Sequence, residues 1–327
     1  MADLQREFNT FHDRITLTSS KKDSLRKARN ALRDKIRKHF RETLKLIVPK
    51  FQGQGSYAMG TTVNPLNGEF DIDDGIYLQH LDINDKSQWP TPATVHQWLV
   101  QATDGHTGEK PIDKRTCVRV RYAGHYHVDL PAYSEFIGDY LLAEKGEKEW
   151  HRSDPLTLTN WFRVQVKNHG EQLRKMIRYL KAWADFQSGR LGIMPSGLIL
   201  TVLVSNNYRT DQRDDIAFAN TIRAISNAVR FAFYVYNPVD AGEELTARLT
   251  APQKTRFQET ISDAADAAAE AIETDDRHEA SKTWRKQFGD RFPAVEKENN
   301  SSQKKEATAK LTTIYAAKNP SKPWGYR

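Results

Sequence analysis

Apolar positions divide the chain into regions of different period. Leu25, Leu32, Ile36, Phe40, Leu44 and Ile47 fall at spacings of seven, four, four, four and three, the stripe of one long helix. Ser20 with Asp23 reads as its capping-box start and Pro49 as its stop. About 28 residues at 1.5 Å rise would make a rod of roughly 42 Å, long enough to brace two lobes. From residue 51 to about 134 the pattern changes to short strands. Residues 70–78 and 117–122 alternate, and a turn at Ala123-Gly124 leads into residues 126–130, which predicts a hairpin. A short helix is expected over 93–101. After Ser153-Asp154-Pro155 the helical period returns, and Leu173, Met176, Ile177, Leu180 and Ala184 mark one face of a helix over 166–186. Pro195 suits a first helical position, and further helices are expected near 216–236, 243–273 and 279–288.

The expected fold is therefore α+β. A spine-helix region (1–50) packs on both a mixed-sheet lobe (51–165) and a helical lobe (166–295). Residues 296–327 form a mobile tail or terminal helix, since 296–309 are rich in Asn, Ser, Lys and Glu.

Composition narrows the function classes. The 327 residues carry 49 Lys+Arg against 42 Asp+Glu, a net charge of +7. Fourteen of the basic and six of the acidic residues lie in residues 1–50, so the rest of the chain sums to −1. A basic helix on a nearly neutral body points to a solvated scaffold face more than to an obligate nucleic-acid partner. The single cysteine, Cys117, excludes a disulfide framework and any multi-cysteine zinc site, and makes a cytoplasmic setting the default. Asp3 and Glu7 stand where a signal peptide would be apolar. The best apolar run, 191–204, is too short for a span of ~20 residues and contains Pro195 and Gly197, so no membrane segment is expected.

The chemistry concentrates in Gln54-Gly55-Ser56-Tyr57 and Asp71-Ile72-Asp73-Asp74. On a strand, residues two apart share a face, so Asp71 and Asp73 project together while Asp74 turns away. Such a pair, ~7 Å apart, repels itself unless a divalent cation neutralises it, and oxygen ligands suit Mg²⁺ or Mn²⁺. Asp129, in the apolar strand Tyr126-His127-Val128-Asp129-Leu130, is the candidate third carboxylate of a two-metal site, because an unpaired aspartate there is costly. Gly55-Ser56 before a short helix offers backbone N–H groups and a hydroxyl to a phosphate. Together these elements point to metal-assisted nucleotidyl transfer. His125 and His127 also alternate on a strand and would suit a transition metal, but no cysteine or carboxylate set adjoins them in sequence.

The run Gly55-Ser56, Asp71-Ile72-Asp73 and Asp129 resembles the polymerase-beta-like nucleotidyltransferase superfamily. More closely, residues 54–57, 70–78 and 127–133 resemble the bacterial cGAS/DncV-like enzymes, the CD-NTases of CBASS anti-phage systems. The resemblance is sharp over 51–133 and looser to about residue 240. It implies a polymerase-beta-like catalytic lobe with a helical second lobe, and synthesis of a cyclic dinucleotide or small cyclic oligonucleotide from ATP and/or GTP. It further implies two Mg²⁺ (or Mn²⁺) held by Asp71, Asp73 and Asp129. Ser56 with Gln54 would contact the donor triphosphate, Gly55 and Tyr57 complete that nucleotide-binding run (Tyr57 as a core or half-buried aromatic), and Lys181 and Ser196 would hold phosphate oxygens. Arg119, with Arg121 as alternate, and Asp240 fall near nucleotide-contacting positions. Without the resemblance, Lys181 reads as an i,i+4 partner of Asp185. A monomer is implied, with CBASS regulatory proteins as a further class of partner. The alternatives are an RNA-tailing or small-molecule nucleotidyltransferase and a non-catalytic nucleic-acid-binding protein. One cysteine does not furnish the zinc thumb of animal cGAS.

Overall fold

The computed structural model describes residues 1–297 except 67, 148 and 193. In chain order the regular elements begin with α1 (Gln5–Ile15), α2 (Ser19–Lys38), β1 (Lys50–Gln54), α3 (Gly55–Met59) and β2 (Phe70–Tyr77). α4 (Pro92–Thr103), β3 (Ile112–Asp113), β4 (Val118–Tyr122), β5 (Tyr126–Leu130), β6 (Ala132–Phe136), β7 (Asp139–Leu142) and β8 (His151–Arg152) complete the first lobe. The second contains α5 (Pro155–His169), α6 (Gln172–Leu191), α7 (Gly197–Asn207), α8 (Asp214–Val229), β9 (Tyr236–Asn237), β10 (Asp240–Glu244), α9 (Ala251–Glu273) and α10 (Arg277–Phe288).

The sheet runs β3-β4-β5-β2-β6-β7-β8, with β1 paired to β2. β2 is parallel to β5 and β6, and the expected hairpin is β4–β5, with Arg119 opposite Asp129 and Arg121 opposite His127. Alternation sends Ile72, Val118, Val120, Val128 and Leu130 to one face, where they pack with Leu25, Leu32, Ile36 and Phe40 and with Val95 and Leu99 of α4. Asp74 lies on that same apolar face, fully buried, with its Oδ2 accepting from Arg33 Nε at 2.7 Å. Asp71, Asp73, Arg119, His127 and Asp129 are left on the opposite face.

The N-terminal region differs from the single expected rod. The α2 stripe continues through a wider helical turn over His39–Leu44, and Lys45 ends it in the left-handed region (φ 58°). Its cap is Thr18, whose side chain accepts from the Lys21 N–H, rather than Ser20. Ile47 is exposed. A separate helix, α1, precedes it, with Leu4, Phe8, Phe11 and Ile15 buried in the second lobe. Phe8 packs edge-on to Trp284 at 5.0 Å and Phe11 lies 4.4 Å from Phe288. The spacing of four, three and four among those apolar residues is legible in the sequence as a helical face. Thus α1 belongs to the helical core and α2 to the sheet.

Several helical bounds also shift. Gly170, at φ 81°, ends α5 before α6 begins, so the helix expected over 166–186 is two helices, and the 165/166 boundary falls inside α5. Pro195 precedes the N-cap of α7, which is Ser196. The helix expected over 216–236 stops at Val229, and the chain turns into the β9–β10 hairpin before α9. The tail expectation falls almost wholly outside the described residues. No helix among the described residues is long and apolar enough to cross a membrane.

Candidate active site

Strand register assembles the site. Parallel pairing sets Asp71 beside His127 and Asp73 beside Asp129. Antiparallel pairing then sets Arg119 beside Asp129. Because side chains alternate, all these residues share the polar face of the sheet. Arg119 donates to both oxygens of Asp129, at 2.7 and 2.8 Å, which separates it from Arg121, placed 3.4 Å from Glu69. This fork is the bidentate geometry for which a guanidinium is suited.

A cleft of about 510 Å³ opens in front of this face, between the lobes. Gln54, Gly55, Ser56, Asp71 and Asp73 line it from the sheet lobe, and Lys181, Gly197 and Thr201 from the helical lobe. Gly55 is required on two counts. Its φ is +67°, and a Cβ there would lie 2.0 Å from Asp73 Oδ2. Ser56 Oγ is 2.8 Å from Thr62 Oγ1. The α3 turn is gripped from α6: Arg174 donates to Met59 O at 2.9 Å, Arg178 to Gly60 O, and Lys181 to Thr61 Oγ1 at 3.0 Å. These basic residues, near one face of α6 at helical spacing, hold the turn against the second lobe. Asp185 pairs instead with Arg291 at 2.9 Å, so the i,i+4 pair with Lys181 does not form.

The other sequence candidates are placed unevenly. Gln54 lines the cleft and donates to Tyr133 Oη at 2.9 Å. Tyr57, one residue or about 100° further around α3 than Ser56, packs half-buried against the sheet-lobe core and does not line the cleft. The Ser196 hydroxyl is taken up as the α7 N-cap, accepting from Ile199 N–H at 3.4 Å, and the following residues form the wall. Asp240 is not brought to the cleft. Its Oδ1 accepts from Gly242 N–H at 3.1 Å at the irregular start of β10, and Oδ2 lies 3.9 Å from Arg152.

His127, which the sequence paired with His125 as a candidate transition-metal site, sits instead among the acids, while His125 lies in the β4–β5 turn. Its Nδ1 is 2.8 Å from Glu69, 58 residues away in sequence. Its Nε2 lies 4.0 Å from Asp71 Oδ2 and 3.9 Å from Asp129 Oδ2. Asp129 stands two residues on along the same strand, whereas Asp71 on β2 and Glu69 just before it are brought in by strand pairing, which sequence adjacency does not reveal. One donor atom each from Asp71, His127 and Asp129 lie within 4.8 Å of one another.

Electrostatics show what the cluster needs. Burial, with the Asp129 charge adding to it, raises the Asp71 carboxyl above its ordinary value despite His127. Burial followed by the charges of Asp71 and Asp129 raises Asp73 well above. Burial lowers Lys181 to about 8, against the pull of Asp71. Crowded, desolvated carboxylates and a buried nitrogen without a hydrogen-bond partner form a donor set that fits a divalent cation. With a hydroxyl and a lysine across the cleft, the arrangement suits phosphoryl chemistry.

Two family models match the chain. The nucleotidyltransferase domain described as cyclic GMP-AMP synthase DncV-like covers residues 49–133, and the cyclic GMP-AMP synthase C-terminal domain covers 170–306. The chain belongs to the cGAS/DncV-like nucleotidyltransferases. Among curated members, it is 28% identical to a cyclic AMP-AMP-AMP synthase of an Acinetobacter species, over 91% of this chain and 90% of that one. It is 24% identical to the Vibrio cholerae cyclic GMP-AMP synthase, over 61% and 56% of the two chains. The crystal structure of Vibrio cholerae DncV superposes with a TM-score of 0.77 at 20% identity, covering 90% of this chain and 98% of that one. That likeness establishes the shared cGAS/DncV-like fold, a mixed-sheet lobe joined to a helical one.

Proposed function

We propose that this chain joins ATP and/or GTP into a cyclic dinucleotide or small cyclic oligonucleotide, as a second messenger of antiviral CBASS signalling in the cytoplasm. The observation that carries the reading is the register that lines up Asp71, Asp73 and Asp129 at a cleft bounded by Ser56 and Lys181. Supporting it, the Acinetobacter relative is named a cyclic AMP-AMP-AMP synthase and an Enterobacter relative a cyclic AMP-AMP-GMP synthase. A DncV structure of the same fold holds the linear intermediate 5′ pppA(3′,5′)pG.

In this reading Asp71, Asp73 and Asp129 hold two divalent ions, Mg²⁺ or Mn²⁺. Such ions polarise phosphoryl oxygens and lower the pKa of a bound hydroxyl. The chain's own groups do the rest. Ser56 Oγ and the Gly55 turn receive the donor triphosphate, with Gln54 at the edge of that pocket. Lys181 exchanges its Thr61 contact for phosphate oxygens. Arg119 keeps the Asp129 carboxylate in one orientation, aimed by its fork. A second transfer within the same cleft, after the linear product turns round, closes the ring. The protein acts as a monomer with no nucleic acid required, and regulatory proteins of the system act on it from outside.

The test is mass spectrometry of products from the purified chain with an NTP mixture and divalent cation, before and after phosphatase. Phosphatase-resistant cyclic products that vanish in Asp71→Asn plus Asp73→Asn are expected. Only linear, phosphatase-sensitive products would identify a tailing enzyme instead, and turnover retained in the double variant would overturn the site.

A further inference from the structure

We infer that His127 Nε2 is a nitrogen ligand in the Asp71–Asp129 cation cluster, oriented by Glu69, and that this mixed site selects a first-row transition cation such as Mn²⁺ over Mg²⁺. The inference rests on the proposed role of these carboxylates in holding a divalent ion.

His127 is 5% exposed, and its Nε2 has no hydrogen-bond partner. Leaving a buried nitrogen unpaired is costly and calls for a reason. The partner on the other side of the ring supplies one. Glu69 Oε2, 2.8 Å from Nδ1, is acceptor-only when ionised, so Nδ1 carries the proton. In the neutral ring Nε2 then presents a lone pair toward the Asp71 and Asp129 oxygens at 4.0 and 3.9 Å. A lone pair facing two carboxylates is repelled unless positive charge stands between them.

The separations fit a shared ion. Donors each ~2.0–2.2 Å from one metal cannot lie more than about 4.4 Å apart, and both measured distances fall inside that limit. A carboxylate on the far ring nitrogen is also the usual support of a metal-ligating histidine, holding its tautomer and orientation. Mg²⁺ prefers oxygen ligands and keeps its waters, whereas imidazole suits first-row transition cations. Arg121, 3.4 Å from Glu69, helps hold this carboxylate in place. The rival occupant is a proton on Nε2, giving an imidazolium wedged between the acids.

Electron spin echo envelope modulation on the full chain loaded with substoichiometric Mn²⁺ distinguishes the two. Modulation from one directly bonded imidazole ¹⁴N is expected, replaced by the ¹⁵N pattern on histidine labelling and lost in His127→Gln. Competition titrations read by the free-Mn²⁺ signal give the Mn²⁺-to-Mg²⁺ affinity ratio. That ratio is expected to fall at least about tenfold in His127→Gln, and Glu69→Gln to weaken Mn²⁺ binding by a similar order. Bound Mn²⁺ without nitrogen coupling, or a ratio unchanged in His127→Gln, would overturn the inference while leaving the carboxylate site standing. The wild-type spectrum decides the point even if the variant fails to fold. Failure of the parent reading looks different: Mn²⁺ binding would survive Asp71→Asn plus Asp73→Asn, or be absent altogether, and both ideas would fall.

Discussion

Gly55→Ala is the sharpest probe of how the site is built. Gly55 holds φ +67°, and a Cβ there would stand 2.0 Å from Asp73 Oδ2 and 3.0 Å from its Cγ, where ordinary contact begins at 3.4 Å. The backbone part of the cost is the left-handed penalty of an L-residue, ~1–2 kcal/mol. Against a domain stability of ~5–15 kcal/mol the variant still folds. The functional part is larger, because Asp73 must retreat by ~1 Å or more, and misplacement of that size costs about 10²-fold in rate. We expect kcat for nucleotide turnover to fall about 100-fold while the urea midpoint moves by no more than the backbone penalty. Gly53→Ala is the control, since a Cβ at Gly53 meets nothing within 4 Å. The measurement is steady-state turnover beside urea unfolding of both variants. Gly55→Ala turnover within a few-fold of the parent, or an equal loss in Gly53→Ala, would refute the argument.

Three further outcomes follow from the same geometry. Asp71→Asn plus Asp73→Asn should abolish turnover yet raise the Tm of the metal-free protein at neutral pH. Both folded carboxyls titrate above the 3.8 of the free acid, so ionisation costs stability as pH rises from there, and amides remove that cost; calorimetry after chelation showing a lower Tm would contradict it. ATP binding by the free enzyme should weaken as pH rises through about 8, where burial has placed the Lys181 ammonium, and stay flat over that range in Lys181→Arg. Isothermal titration from pH 7 to 9.5 reads this, and parallel profiles would rule it out. Arg33→Leu strands the fully buried Asp74 without its counter-charge and should cost about 3–5 kcal/mol in urea unfolding. Adding Asp74→Leu should recover most of the loss, and no recovery would show that the pair matters for something other than its charge.

Much of the site could be read locally because its chemistry follows strand period. Asp71 and Asp73 share a face by alternation, and the Ala123-Gly124 turn implied the hairpin that carries Asp129. Helix ends were less legible. Gly170 interrupts an apolar stripe that runs on through it, so the spacing alone joined α5 to α6. Tyr57 and Ser196 were carried by motif resemblance, yet one packs half-buried against the core and the other spends its hydroxyl on a helix cap. Asp240 opens β10 of a two-stranded hairpin that lies where one expected helix ends and the next begins, and no local pattern sets it apart from the cleft.

By itself, the sequence determined the faces: which residues of each strand point together, and that the basic surplus belongs to one helix. Tertiary structure alone decided the neighbours. The parallel β2–β5 pairing joins residues far apart in the chain, so it alone places Asp129 beside Asp73 and His127 beside Asp71. Packing likewise split the N-terminal helices between two cores, α1 to the aromatic cluster and α2 to the sheet. The reason is physical: periodicity is a property of consecutive residues, whereas a catalytic cluster is made by hydrogen-bond register and burial between segments that have no sequence relation to one another.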